Sequence, residues 1–281
     1  DQMFLTTIVE VGPLWPGQRS ALYDSARITV GSVFSVRLVG ILLAGVAVSA
    51  QVGFFPLEEV RPGMQGVGRT VFSGERIEEF QAEILGVVEN TGPGQSLILA
   101  RLAGGPLATT GVLQGMSGSP VYIDGRLVGA VAMTFSYAKE PIAAIRPIAE
   151  LLRAGEAASA PRAARRPSPF ALDVMAGLEP PADIAAGGVR FVDIATPVSF
   201  AGFTQATLER FAPRLRGLGF QPCQGVSGGG RLKEALGDPA ALQPGSMISV
   251  QLMTGDMSVG AEGTVTHIDG AKVYAFGHRL L

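Results

Sequence analysis

Ser117 lies in a glycine-rich segment, Gln-Gly-Met-Ser-Gly-Ser-Pro, at residues 114–120. A serine hydroxyl becomes a nucleophile where a base reaches it and where backbone amides face the oxyanion that forms. The small neighbours permit the sharp turn that such an arrangement needs. The segment therefore indicates Ser117 as a candidate nucleophile. The same letters are also typical of a tight glycine–serine loop between strands, and that alternative stays open.

The chain has two histidines, His267 and His278, as candidates for a base. His278 ends the run Val-Tyr-Ala-Phe-Gly-His at residues 273–278, which follows an Asp-Gly turn and predicts a strand. A histidine at a strand end is also commonly a surface or structural residue. His267 precedes the turn on the expected hairpin, which favours a structural role. The residues alone leave the role of His278 open.

Several stretches resemble the SpoIVB (stage IV sporulation protein B) peptidases, serine peptidases with a trypsin-like catalytic arrangement. The resemblance matches Ser117 to the catalytic serine and His278 to the base. It implies a mainly β fold, with trypsin-like β-barrel or sandwich halves and a few short helices. The matching stretches are residues 60–64, 80–88, 112–120, 125–131, 263–266 and 274–278.

The order of the two site segments departs from the family. In the sporulation peptidases the histidine precedes the serine, whereas here Ser117 precedes His278. Catalytic triads are defined by geometry and not by chain order, so the swapped order is compatible with catalysis. The sequence ends shortly after His278, and we expect it to be a truncated piece.

The third triad residue has no match. The position of the family's catalytic aspartate corresponds to Leu102. Asp124, Asp256 and Asp269 are the possible substitutes. Asp124 and Asp269 stand in Asp-Gly pairs, which are typical of turns. Because a wrongly oriented histidine costs about four orders of magnitude in rate, Leu102 indicates weak or absent activity as a serious alternative.

Composition excludes several classes of protein. The 281 residues are 47% hydrophobic and 16% charged, which indicates a folded core and excludes a disordered chain. A net charge of -2 offers no basic field for nucleic acid. The single cysteine, Cys223, forms no internal disulfide. One cysteine and two histidines lack metal-ligand spacing, so we expect neither a metal nor another cofactor.

Residues 37–50 resemble a signal peptide. An arginine precedes a short apolar core that ends in small residues, which predicts cleavage after Ala50. We therefore expect export to the periplasm, the cell envelope or the medium, with membrane contact only through an uncleaved leader. A membrane anchor and a buried helix are the alternatives. Residues 1–31 lack a starting methionine and precede this leader, as a start site assigned too far upstream would produce.

The chain divides into a leader region and two modules. Residues 1–50 are the non-native leader plus signal peptide, and residues 54–153 are a β-rich module that carries the serine. An Ala/Arg/Pro-rich linker at 154–170 precedes an incomplete α+β module at 171–281, which ends in the histidine strand. Residues 142–154 predict a helix that closes the first module.

The second module predicts a helix over residues 204–215. Leu208, Phe211 and Leu215 would share one face of this helix, and Gly217 would end it.

These observations predict a serine endopeptidase-like protein that cleaves protein or peptide substrates. Ser117 would attack the carbonyl, His278 would accept its proton, and the backbone amides of Gly115 and Ser117 would bind the oxyanion. The alternative is a catalytically inactive peptidase-fold protein that binds peptides or partners in the cell envelope, for example through exposed strand edges.

Overall fold

A computed structural model describes residues 7–10, 53–135, 139–159, 183–186, 189–225, 241–253, 255–278 and 280. All of them belong to one packed unit. The predicted leader at 37–50 and residues 160–170 of the predicted linker lie outside the described residues.

Strands dominate the described residues, which confirms the mainly β fold. The strands are β1 (Thr7–Glu10), β2 (Gln65–Thr70), β3 (Glu78–Gly92), β4 (Gln95–Ala103), β5 (Pro120–Ile123), β6 (Arg126–Phe135), β7 (Ile142–Pro147), β8 (Asp183–Ala186), β9 (Val189–Asp193), β10 (Thr196–Ala201), β11 (Phe220–Gln224), β12 (Met247–Met253), β13 (Ser258–Asp269) and β14 (Lys272–Ala275). The helices are α1 (Leu107–Thr110), α2 (Ile148–Ser159) and α3 (Gln205–Gly217), with 3-10 turns at Leu57–Glu59 and Gln114–Met116.

Six antiparallel strands close into a barrel. Their order is β5-β2-β3-β4-β7-β6, and β5 also pairs with β6, which completes the ring. Closure leaves these six strands without a free edge between them. Small and branched apolar side chains fill the interior; among them are Ala82, Ile84, Ile98, Ala100, Leu102, Val121, Val131 and Ile145. The barrel agrees with the trypsin-like architecture that the resemblance implies, and β9 and β8 extend it from β6.

A second sheet is built around β13. The order is β1-β14-β13-β10-β11, and β12 pairs with β13 as well. The pairs are antiparallel except for β10 with β11, which are parallel and are connected through α3. β1 belongs to the region at residues 1–50 that was predicted as a leader, and it pairs with β14. β14 leads directly into His278.

The predicted helix over residues 142–154 is wrong for its first part. β7 occupies Ile142–Pro147, and α2 begins at Ile148. Ile145 pairs with Ile98 of β4 and is fully buried inside the barrel, so barrel closure determines its conformation. α2 continues to Ser159, into the first residues of the predicted linker.

The helix predicted over residues 204–215 is present as α3. Thr204 caps it, because its side chain accepts a hydrogen bond from the Thr207 amide. Leu208 is buried as expected, whereas Phe211 is exposed, so the predicted apolar face is only partly correct. None of the described helices is long and apolar enough to cross a membrane.

Candidate active site

Ser117 stands on a sharp turn at the mouth of the barrel. The 3-10 turn Gln114–Met116 precedes it, and β5 begins at Pro120. The following residue, Gly118, has a φ of 93°, a left-handed conformation that favours glycine. The Gly118 amide donates to the Val131 carbonyl at 2.8 Å, which ties the turn to β6. The glycine after the serine is therefore required by the local geometry.

Strand β13 holds this turn from the second sheet. The Thr264 amide donates to the Ser117 carbonyl at 2.9 Å. The hydroxyls of Thr264 and Thr266 donate to the carbonyls of Gly115 and Gly118, each at 2.7 Å. Both threonines are buried, and these bonds satisfy their hydroxyls. The serine turn is thus fixed by residues far along the chain.

The strand end that carries His278 reaches the same place. The Phe276 amide donates to the Thr264 carbonyl at 3.2 Å, and the Ser117 hydroxyl donates to the Phe276 carbonyl. A Cβ built on Gly277 would lie 3.2 Å from the Gly118 nitrogen. Ser117 and Phe276 are 159 positions apart in sequence. The fold therefore brings together the two segments that the sequence singled out, in what we call the serine–histidine junction (residues 115–118, 264–266 and 276–278).

The serine–histidine junction is closed. Ser117 is 0% exposed and His278 is 5% exposed. In this arrangement the Ser117 hydroxyl donates to the backbone at Phe276. Phe276 itself has a φ of 68° and is fully buried, and a non-glycine residue in this region is strained. Attack on a substrate carbonyl would first require Ser117 to leave the Phe276 carbonyl.

The two amides predicted to bind the oxyanion differ in their surroundings. The Ser117 amide donates to the Gln114 carbonyl at 3.3 Å, within the 3-10 turn. No atom lies within 4 Å of a Cβ built on Gly115, which is half-buried, so the surface beside it is open. The Ser117 amide is therefore engaged within the turn, whereas the space beside Gly115 is open.

The three aspartates considered for the third triad residue lie at exposed positions and not in the barrel core. Leu102, at the position of the family's aspartate, is 1% exposed and packs inside the barrel. Asp124 is exposed in the β5–β6 turn with a φ of 50°. Asp269 is exposed at the β13–β14 turn, and Asp256 is exposed beyond the end of β12. Asp124 and Asp269 thus occupy the turns that their Asp-Gly pairs predict.

Arg146, which the sequence analysis did not single out, lies beside the strand end of His278. It is 4% exposed, and its Nε donates to the Gly277 carbonyl at 3.2 Å. Burial lowers the pKa of Arg146, while attraction to Asp193 and Glu150 acts in the opposite direction. One signal was available in the sequence: Arg146 interrupts an otherwise apolar strand, Ile-Ala-Ala-Ile-Arg-Pro, at residues 142–147.

Glu150 completes the charged surroundings of Arg146. One oxygen of its carboxylate accepts a hydrogen bond from the Ser96 amide at 2.8 Å. Burial raises the pKa of Glu150, and the Ser96 amide and Arg146 partly offset this. The buried guanidinium is therefore balanced by two carboxylates, from α2 and β9.

His267 packs in an aromatic cluster. Its ring centroid lies 5.3 Å from that of Phe54 and 5.9 Å from that of Tyr274. Burial lowers the pKa of His267. These contacts agree with the structural role expected for it. Among the described residues, no group of three His, Cys, Asp or Glu could hold a metal ion.

Comparison with known families gives one match. The family model described as SpoIVB peptidase S55 matches residues 16–142. The matched range contains Ser117, and His278 lies outside it. The match confirms the resemblance to these peptidases and, together with the barrel, supports a serine peptidase-type function with protein substrates. No curated protein and no solved structure gave a match.

Proposed function

We propose that this protein is a serine endopeptidase in which Ser117 is the nucleophile and His278 the base. The observation that carries the proposal is the serine–histidine junction: the Ser117 hydroxyl bonds the carbonyl two residues before His278, and Gly277 lies against Gly118. The family match supports the same reaction class. A serine needs an adjacent base to act as a nucleophile, so the meeting of the Ser117 and His278 segments is the relevant evidence.

The proposed reaction is acyl transfer through two steps. Ser117 Oγ attacks the peptide carbonyl carbon as its proton passes to His278, and the carbonyl oxygen becomes an oxyanion. The amides of Gly115 and Ser117 donate to that oxyanion. His278 then gives the proton to the leaving amine, and an acyl-enzyme remains. Water, activated by His278, releases the second product and restores the serine hydroxyl.

Catalysis by this site requires the junction to open. Ser117 must exchange its bond to the Phe276 carbonyl for a bond to His278, and its amide must exchange the Gln114 carbonyl for the oxyanion. Both exchanges involve a single residue of the turn and leave the threonine bonds from β13 in place. The open surface at Gly115 provides the side from which an extended peptide would enter.

One observation favours a second function, a peptidase-fold protein that binds peptides without cleaving them. Ser117 is fully buried and its hydroxyl already donates to the backbone, as in a structural turn. The buried Leu102 at the aspartate position points in the same direction, since a carboxylate there would normally orient the base. The two functions differ in whether the junction opens, because cleavage requires Ser117 to leave the Phe276 carbonyl.

Labelling with a serine-reactive fluorophosphonate distinguishes them. We expect an adduct on Ser117 of the full chain, located by peptide mass, in which the Oγ–phosphorus bond forms and fluoride leaves. Ser117→Ala and His278→Ala should abolish it. The matched controls Ser119→Ala and His267→Ala should keep it, because each removes the same side chain elsewhere in or near the junction. A folded protein without adduct would support the binding function.

We also propose that the protein is exported. The support is the basic residue, apolar core and small-residue end at residues 37–50. Expression of the chain in a bacterial host followed by N-terminal sequencing tests this. A mature terminus at Gln51 in the exported fraction is expected, so that β1 would be lost from the edge of β14 on export. Full-length protein retained inside the cell would contradict the proposal.

A further inference from the structure

The turn that carries His278 has an unusual backbone. Phe276 has a φ of 68° and Gly277 a φ of 63°, so two consecutive residues are left-handed. For phenylalanine this conformation costs about 1–2 kcal/mol. Such a backbone persists only where its surroundings hold it. The position of His278 therefore depends on the contacts of the two preceding residues.

Side chains hold both carbonyls of this turn. The Ser117 hydroxyl donates to the Phe276 carbonyl, and Arg146 Nε donates to the Gly277 carbonyl at 3.2 Å. The two contacts come from different segments of the chain, the serine turn and β7. If Ser117 reacts, its bond to Phe276 is lost while the Arg146 bond to Gly277 remains.

The charge on Arg146 is compensated where it lies. A guanidinium that is 4% exposed is costly unless it is paired. Attraction to Asp193 of β9 and Glu150 of α2 offsets part of this cost. Glu150 in turn accepts a hydrogen bond from the Ser96 amide at 2.8 Å, at the start of β4. The bond from Arg146 to Gly277 is therefore made by a buried cation whose charge is partly compensated.

We infer that Arg146 is a positioning residue: it holds the Gly277 carbonyl and so keeps His278 in place when Ser117 leaves Phe276 to react. This inference rests on the proposed function of Ser117 and His278. It assigns to a buried arginine the task of holding the base, in a chain whose family aspartate position is occupied by Leu102. Arg146 contacts the backbone and not the reacting atoms.

The test compares Arg146→Met and Arg146→Lys with the wild-type full chain. Methionine fills much of the volume but donates no hydrogen bond, and lysine keeps the charge without the planar guanidinium. Arg210→Met is the matched control, since Arg210 is an exposed arginine on α3, in a different element from β7 and α2. The measured quantities are the maximal rate of Ser117 labelling, the half-saturating probe concentration and the thermal unfolding midpoint.

A positioning role predicts a loss of rate without a loss of probe binding. Arg146→Met should lower the maximal labelling rate at least about tenfold, because small displacements of a catalytic group have effects of this size or larger. The half-saturating concentration should stay unchanged, and Arg146→Lys should lie between methionine and wild type. Arg210→Met should behave as wild type. A folded Arg146→Met protein that labels at the wild-type rate overturns the inference.

A second measurement does not depend on activity. The chain has only two histidines, so ¹⁵N-histidine labelling gives NMR signals for His278 and for His267 as the internal reference. We expect Arg146→Lys to shift or broaden the His278 signal while that of His267 stays in place. If Arg146→Met does not fold, a lysine variant with wild-type rate and an unchanged His278 signal overturns the inference. Absence of labelling in the wild type would refute the proposed function, and the NMR comparison would still decide the role of Arg146.

Discussion

Substitution of Gly118 by alanine tests whether the serine–histidine junction is as close-packed as the structure shows. A Cβ at this position would lie 2.1 Å from the Thr264 carbonyl oxygen and 2.5 Å from the Phe276 nitrogen. Both are backbone atoms of the second sheet, so neither can move away by a change of rotamer. The serine turn and the strand end of His278 would have to separate.

Gly63 supplies the matched control. Its φ of 87° is close to the 93° of Gly118, but nothing lies within 4 Å of a Cβ built there. Gly63→Ala should therefore lower the free energy of unfolding only by the backbone strain, about 1–2 kcal/mol. Gly118→Ala adds the cost of overpacking, so that the expected loss is about 2–5 kcal/mol.

Urea denaturation followed by circular dichroism and by tyrosine fluorescence, to which the buried Tyr274 contributes, measures both losses. The fluorophosphonate rate at Ser117 gives a second readout, which should fall for Gly118→Ala and stay at the wild-type value for Gly63→Ala. Equal losses of stability in the two variants would refute the reasoning, because they would mean that Gly118 is required only for its φ and that the junction has room for a methyl group.

Three further predictions concern the barrel core and two titrating groups. Leu102→Asp should destabilise the fold by at least about 4 kcal/mol and should not increase labelling, because it places a carboxylate inside the barrel; thermal unfolding beside Leu102→Ala measures this, and a folded, faster-labelling protein would contradict it. Burial raises the pKa of Glu150, so the protonated side chain stabilises the fold below pH 4.5 and this stability is lost as the pH rises through the raised pKa. The unfolding midpoint of the wild type should therefore fall relative to that of Glu150→Gln over this pH range, and equal midpoints throughout would contradict the prediction. Because burial lowers the pKa of His267, the stability it contributes is present above pH 6.5 and lost as the pH falls through the lowered value; His267→Gln should remove this acid-dependent loss, and an unchanged pH profile would contradict the prediction.

Local patterns are sufficient for several strands. The apolar run at residues 127–135 predicts a strand, and β6 is Arg126–Phe135. Residues 247–253 predict a strand, and β12 is Met247–Met253. In both cases β-branched and apolar residues lie between turn residues, so local conformation and burial agree.

The error at residues 142–147 has a different origin. Ile145 and Ile148 have helical spacing, but Ile145 belongs to the barrel interior and Ile148 to the helix that packs outside it. A spacing pattern contains no information on which of two layers each residue joins. β7 pairs with β4, which is distant in sequence, and with β6, from which a loop separates it. This pairing determines the strand conformation.

The sequence indicated the two segments of the candidate site but not the contacts between them. The glycine-rich segment indicated Ser117, and the resemblance to the SpoIVB peptidases indicated His278. The bond from Ser117 to the Phe276 carbonyl and the burial of Arg146 depend on contacts between segments far apart in the chain. No local pattern encodes such contacts.

The serine–histidine junction is held by one hairpin of the second sheet. Hydrogen bonds from Thr264 and Thr266 of β13 fix the serine turn, and β14 returns beside β13 to place Phe276 and His278 against it. What the arrangement does require is close backbone contact, which Gly118 and Gly277 permit. The glycines beside the serine and the histidine are therefore as necessary to the proposed site as the two reactive side chains.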